Sequence, residues 1–134
     1  MADLFIVALL GHLIGDYLLQ STWMAITKSQ LGWKGVWACT IHVTLYTAAV
    51  CVMLQTPDPL VWLAVFVPHW IIDHWSLGEE WSKLIGGRTK EKTMAVTPGP
   101  AREFGFAFYA PVYIAVDNTW HLLCLWATIK FMMM

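Results

Sequence analysis

Three His/Asp pairs stand at four-residue spacing in apolar stretches of this 134-residue chain: His12 with Asp16, His69 with Asp73, and Asp117 with His121. On an α-helix that spacing puts both side chains on one face, one turn apart. His42 adds a lone imidazole in another apolar stretch, and Gln20 extends the His12 and Asp16 face by a further turn. Imidazole and carboxylate are ligands for divalent ions. A metal held by both can generate hydroxide and polarise a scissile group. Four histidines and three aspartates are more than one tetrahedral zinc takes. They would suit one or two divalent ions (zinc, iron or manganese), with carboxylates bridging and imidazoles terminal. The expected metal ligands are His12, Asp16, His42, His69, Asp73, Asp117 and His121, and the candidate catalytic groups are Asp16, Asp73 and Asp117.

The setting makes these groups expensive. The chain is 58% hydrophobic and 13% charged, against roughly 25% charged in soluble domains. This composition points to a membrane. The net charge of -1 argues against a nucleic-acid partner. Nine tryptophans suit a chain with much interfacial area, because indole favours the headgroup layer. Cys39, Cys51 and Cys124 are odd in number and irregular in spacing, so no disulfide framework or metal knuckle follows. Cys39, one turn from His42, is weighed as an extra ligand and left among the small core residues. The N-terminus lacks the basic region of a signal peptide and reads as a retained first span.

Four apolar segments must position the pairs, at about 4–23, 35–54, 60–77 and 109–131. Each is near the roughly 20 residues that cross a bilayer. The expectation is an all-α integral membrane protein. Its four-transmembrane-helix bundle forms a single domain, 1–134, in the bacterial inner membrane. Thr56–Pro59 makes a tight turn between the second and third segments. Pro111 suits the start of the regular part of the fourth. In the polar stretch 76–103, Trp81, Leu84 and Ile85 beside Glu79, Glu80 and Lys83 predict a short interfacial helix. "GGRTKEK" and "TPGP" read as loop, with the Lys90 and Lys92 charges solvated. Lys28 and Lys34 follow the first span, and Lys83, Arg88, Lys90, Lys92 and Arg102 follow the third. That bias places both termini outside. Gly11 and Gly15 would let the first span approach its neighbours closely.

At a rise of about 1.5 Å per residue, the polar groups of all four spans fall in one layer in the cytoplasmic half. No Lys or Arg is expected at their depth. Three ionised, uncompensated aspartates would cost on the order of 8–10 kcal/mol. Protonation, hydrogen bonds from neutral histidines, or bound cations must compensate them. A single intramembrane histidine is more often a packing residue, but three pairs and His42 at one depth favour a cluster. His74 is adjacent to Asp73 and points about 100° away. It is expected to be an interfacial residue outside the cluster.

Together "GHLIGDYLLQSTWMAITK", "IHVTLYT", "HWIIDHW" and "VDNTWH" resemble the small bacterial and phage integral membrane proteins of domain of unknown function 3307. The shared pattern is H-x3-D and a short run ending in Leu-Gln, then a lone His, a second H-x3-D, and Asp-x3-His. The resemblance covers most of the chain and implies a site of His12, Asp16, Gln20, His42, His69, Asp73, Asp117 and His121. Asn118 departs from the expected Asp-Gln at a position that does not face the others. The resemblance supplies no activity. More distantly, the chain is similar to membrane-bound metal-dependent hydrolases, which also place H-x3-D in apolar helices.

The leading expectation is a metal-dependent hydrolase acting on a lipid or a phosphate ester, with Lys28, Lys34, Arg88 and Arg102 near an anionic head. The first alternative is a haem-binding electron-transfer protein, which leaves the aspartates unexplained. The second is a small transporter or structural membrane protein of a phage or bacterium. Transport through four spans would require a homo-oligomer.

Overall fold

A computed structural model describes residues 2–87, 89 and 100–134, with side chains from 3 to 87, at 89, and from 108 to 134. The helices are α1 (Ala2–Leu13), a π turn (Ile14–Leu18), α2 (Thr22–Thr27), α3 (Trp33–Met53), α4 (Pro59–His74), α5 (Leu77–Gly86) and α6 (Pro100–Met132). Among the described residues there is no strand, so the chain is all-helical. It divides into two units: Met1–Trp75 with His121–Met134, and Ser76–Trp120.

In the first unit α3 packs against α1, the π turn, α2 and α4. Ala8, Tyr46, Val50, Leu54, Val61, Val65, Leu125 and Ile129 form its buried core. Gly11 and Gly15 make the close approach to α3 that their spacing suggested. A Cβ on Gly11 would lie 2.8 Å from Val50 Cα, and one on Gly15 2.9 Å from Tyr46 Cα.

The first apolar segment is not one continuous helix. The Leu19 N–H reaches the Ile14 carbonyl at 3.0 Å, an i→i+5 bond that widens the helix around Asp16. The chain then breaks, and Ser21 restarts it by accepting from the Met24 N–H at 3.3 Å, a strong N-cap. Gln20 therefore lies in the break and does not extend a helical face. Beyond it, Gly32 takes φ +90° before α3, a conformation that glycine alone adopts cheaply. Among the described residues α3 is the one helix long and apolar enough to cross a membrane. With 12 residues in α1 and 16 in α4, these helices fall short of the expected span lengths.

α4 begins with Pro59 behind the Asp58 carboxylate, which accepts from the Leu60 N–H at 2.8 Å. Pro68 lies inside α4 and has no N–H to give the Ala64 carbonyl. The Thr128 hydroxyl lies 3.4 Å from that carbonyl and 3.0 Å from the Cys124 carbonyl of its own helix. One weak contact therefore replaces the lost bond.

In the second unit the expected short helix is present as α5, closed by Gly87 at φ +57°. Lys83 pairs with Glu80 at 2.9 Å and Glu79 at 3.1 Å. These carboxylates raise its ammonium above the usual lysine range. Trp81 meets Trp120 edge to face at 5.3 Å, and Leu84 and Ile85 are exposed. Pro111 does not open the last helix. α6 starts at Pro100, about 16 Å earlier, because proline kinks a long apolar helix without ending it. Counting from Pro111 therefore does not measure depth. Arg88, Lys90, Lys92, the rest of "GGRTKEK" apart from its glycines and Thr89, "TPGP" apart from the backbone of Pro100, and the Arg102 side chain lie outside the described residues.

Candidate metal centre

Five of the expected ligands converge in the first unit from four segments. α1 supplies His12, the π turn Asp16, α3 His42, and α4 both His69 and Asp73. His12, His42, His69 and Asp73 are buried, as is His121 near the end of α6, and Asp16 is nearly so.

The heart of the cluster is four atoms. His42 Nε2 and His69 Nε2 lie 3.2 Å apart. Asp16 Oδ1 is 3.3 Å from the first and 3.4 Å from the second. Asp73 Oδ2 is 3.0 Å from the first and 3.2 Å from the second. Ligand atoms bound at about 2.0 Å to one tetrahedral ion stand about 3.3 Å from each other, so these separations are those of neighbouring ligands. Asp16 Oδ1 is buried and makes no hydrogen bond of good geometry among the described residues despite its two imidazole neighbours.

Each carboxylate also turns its second oxygen outward. Asp16 Oδ2 is 3.3 Å from His12 Nδ1, and Asp73 Oδ1 is 3.6 Å from His121 Nε2. The aspartates thus sit between imidazoles, with His12 and His121 at the flanks, their rings 5.8 Å apart. Two sets, Asp16–His69–His121 and His42–His69–Asp73, bring ligand atoms close enough to hold an ion. The Gln20 amide nitrogen, in the break after the π turn, lies 3.2 Å from His42 Nε2. Asp117 belongs to the second unit, where it packs on Gly78.

The expectation that no Lys or Arg reaches this depth is wrong. Lys28 Nζ donates to Asp73 Oδ2 at 2.8 Å, with the Lys28 side chain 18% exposed and that of Asp73 2%. The four-carbon stem lets the ammonium reach inward from the end of α2 while its backbone stays near the surface. Sequence reasoning missed this because it treated 4–23 as one straight helix ending before Lys28. The break at Gln20 and the short α2 carry Lys28 back over the cluster.

Tyr46 was also missed. It is 1% exposed, its hydroxyl lies 3.2 Å from His12 Nδ1, and its ring stacks on His69 at 3.6 Å. The signal was present: Tyr46 stands four residues after His42, on the same helical face. Cys39 stays with the core, its thiol 3.7 Å from the Trp70 carbonyl. His74 lies off the cluster and donates from Nδ1 to the Lys28 carbonyl at 2.9 Å.

No curated protein and no solved structure matches the chain. One family model does match, over residues 4–134, and its description is "Protein of unknown function (DUF3307)". That span contains every residue of the cluster, from His12 to His121, and the H-x3-D, lone His, H-x3-D and Asp-x3-His pattern that anticipated it, and the chain belongs to this family.

Proposed function

We propose that this chain is an integral membrane metalloprotein whose His/Asp cluster holds one or two divalent ions and hydrolyses a lipid or phosphate ester. The observation that carries the metal is the set of 3.0–3.4 Å separations among His42, His69, Asp16 and Asp73. Buried carboxylates crowded by imidazoles are costly without a cation between them. The membrane setting is supported by the outward apolar side chains. Ile6, Leu10, Val52, Leu60, Leu63 and Leu123 are all exposed, spread over α1, α3, α4 and α6. Faces of that kind are unfavourable in water over so many helices. In this reading the four long helical segments traverse the bilayer, α5 lies in the interface, and both termini face outside.

A bound divalent ion supplies Lewis acidity and a water of lowered pKa. The protein's own groups then divide the work. Asp73, held by Lys28, suits a fixed ligand. Asp16, the more exposed of the two carboxylates at 13%, suits the general base that takes the proton of the attacking water. Asp117 is proposed as a further ligand. Haem ranks lower, because His42 Nε2 and His69 Nε2 stand too close for a porphyrin between them.

A second reading has a specific observation behind it. Lys28 already supplies Asp73 with a cation, so the cluster could be an ion-paired clasp between helices. Elemental analysis of detergent-purified protein separates the two. The metal reading expects zinc, iron or manganese at one or two ions per chain, lost on His69→Ala. Folded, metal-free protein that takes up none of the three would leave only the clasp. Hydrolysis is tested with a panel of phosphate esters and fluorescent lipids, where Asp16→Asn should lower turnover about 100-fold or more.

A further inference from the structure

Pro68 stands immediately before His69, and each leaves one buried polar atom poorly satisfied. Proline withholds the N–H that the Ala64 carbonyl would accept in a regular helix, leaving that oxygen only the 3.4 Å contact from Thr128. His69 is buried, and its Nδ1 has no hydrogen-bond partner among the described residues. Ala64 and His69 line the same small cavity, with Tyr46, Val65, His121, Cys124 and Leu125 as the other walls. Its volume is about 10 Å³, the lower limit for one water molecule. A buried water needs two or more polar partners, and this wall offers a donor, an acceptor and the Cys124 thiol. An apolar void of this size would stay empty, but this one is not wholly apolar.

We propose that the cavity binds one water molecule, which accepts from His69 Nδ1–H and donates to the Ala64 carbonyl. The consequence for the cluster is direct. A proton held on Nδ1 leaves the lone pair of His69 Nε2 pointing at Asp16, His42 and Asp73, the form of imidazole that binds a metal. His69 is then oriented through the water, which makes Pro68 and the cavity wall positioning elements. The role in metal binding rests on the metal reading above. The water itself does not.

Two measurements test it. The first uses histidine-labelled wild-type protein in detergent, before any metal is added. The His69 Hδ1 proton should be observable by NMR, with the Nδ1–H tautomer in its nitrogen shifts and a cross-relaxation peak to a long-lived water. An Nε2–H tautomer, or an Hδ1 signal with no water peak, overturns the proposal. The second is zinc affinity by chelator competition. Cys124→Leu fills the cavity from the wall opposite α4 and should weaken zinc about 10- to 100-fold. Cys124→Ser, which keeps the space and a polar atom, should stay within about twofold of wild type, and the tautomer should follow the affinity in each variant. Helical content by circular dichroism confirms that each variant is folded. If Cys124→Leu does not fold, Cys124→Val serves as the smaller filler. Unchanged zinc affinity and tautomer in a folded, filled variant overturn the positioning role. Wild-type protein that binds no zinc overturns the metal reading instead, and the NMR result then stands alone.

Discussion

At the scale of single residues, "HWIIDHW" carries two histidines with different fates. His69 faces the cluster, and His74, five residues on, faces the Lys28 carbonyl. His69→Ala should therefore remove most of the bound metal. His74→Ala should keep metal near wild type and cost about 1 kcal/mol of stability, the net worth of one hydrogen bond. Metal analysis and unfolding of both variants side by side check this, and equal metal losses would mean that α4 is rotated from the geometry described. Lys28 gives a sharper test, because a buried carboxylate stripped of its partner is strongly destabilising. Lys28→Met should cost about 3–5 kcal/mol in metal-free protein. Zinc should return much of that loss, since a divalent ion compensates the same Asp73. A thermal shift on adding zinc that is no larger in Lys28→Met than in wild type would argue against an ion beside Asp73.

At the scale of elements, the close contact between the π turn and α3 depends on a missing side chain. Gly15→Ala puts a Cβ within 2.6 Å of Tyr46 Cδ2. Tyr46 is stacked on His69 and cannot give way without moving it. The variant should lose about 1–3 kcal/mol from overpacking and should bind metal more weakly, measurable in one titration. Much of this was legible beforehand. The i,i+4 spacing of His12 with Asp16 and His69 with Asp73 placed each pair on one face, and small residues at 11 and 15 announced a close approach. Helical periodicity does not report where a helix is interrupted, however. The break at Gln20 depends on Ser21 capping a new helix in competition with continuation of the old one. From that one event follow the positions of Gln20 and Lys28. Pro111 misled for the opposite reason: an apolar context on both sides keeps the helix going through a residue that usually begins one.

At the scale of the whole molecule, the test is physical partitioning. A chain with apolar side chains outward on α1, α3, α4 and α6 should stay with membranes through alkaline carbonate extraction and require detergent for release. Recovery in the soluble fraction would remove the bilayer from the account. Single cysteines introduced into a background lacking Cys39, Cys51 and Cys124 read the orientation. A cysteine at Thr56, between α3 and α4, should react with an impermeant label from outside, and one at Lys34 only after the membrane is opened. The charge bias that motivates this orientation is modest, and part of it falls on Arg88, Lys90, Lys92 and Arg102. The labelling result therefore carries more weight than the count.

The π turn at Ile14–Leu18 has a consequence for how this stretch tolerates changes of length. An i→i+5 turn accommodates one residue more than the α-helix around it. Deleting a single residue there would let the helix close into regular α geometry and rotate everything beyond it by about 100°. Asp16 or its replacement would leave the cluster, and Gln20, Ser21 and Lys28 would be carried round with it. Insertions and deletions in 14–18 should thus be far more damaging than substitutions at the outward-facing Leu18. In a library of single-codon deletions, metal retention should collapse over this window and recover beyond Lys28, a map of where the chain counts its residues.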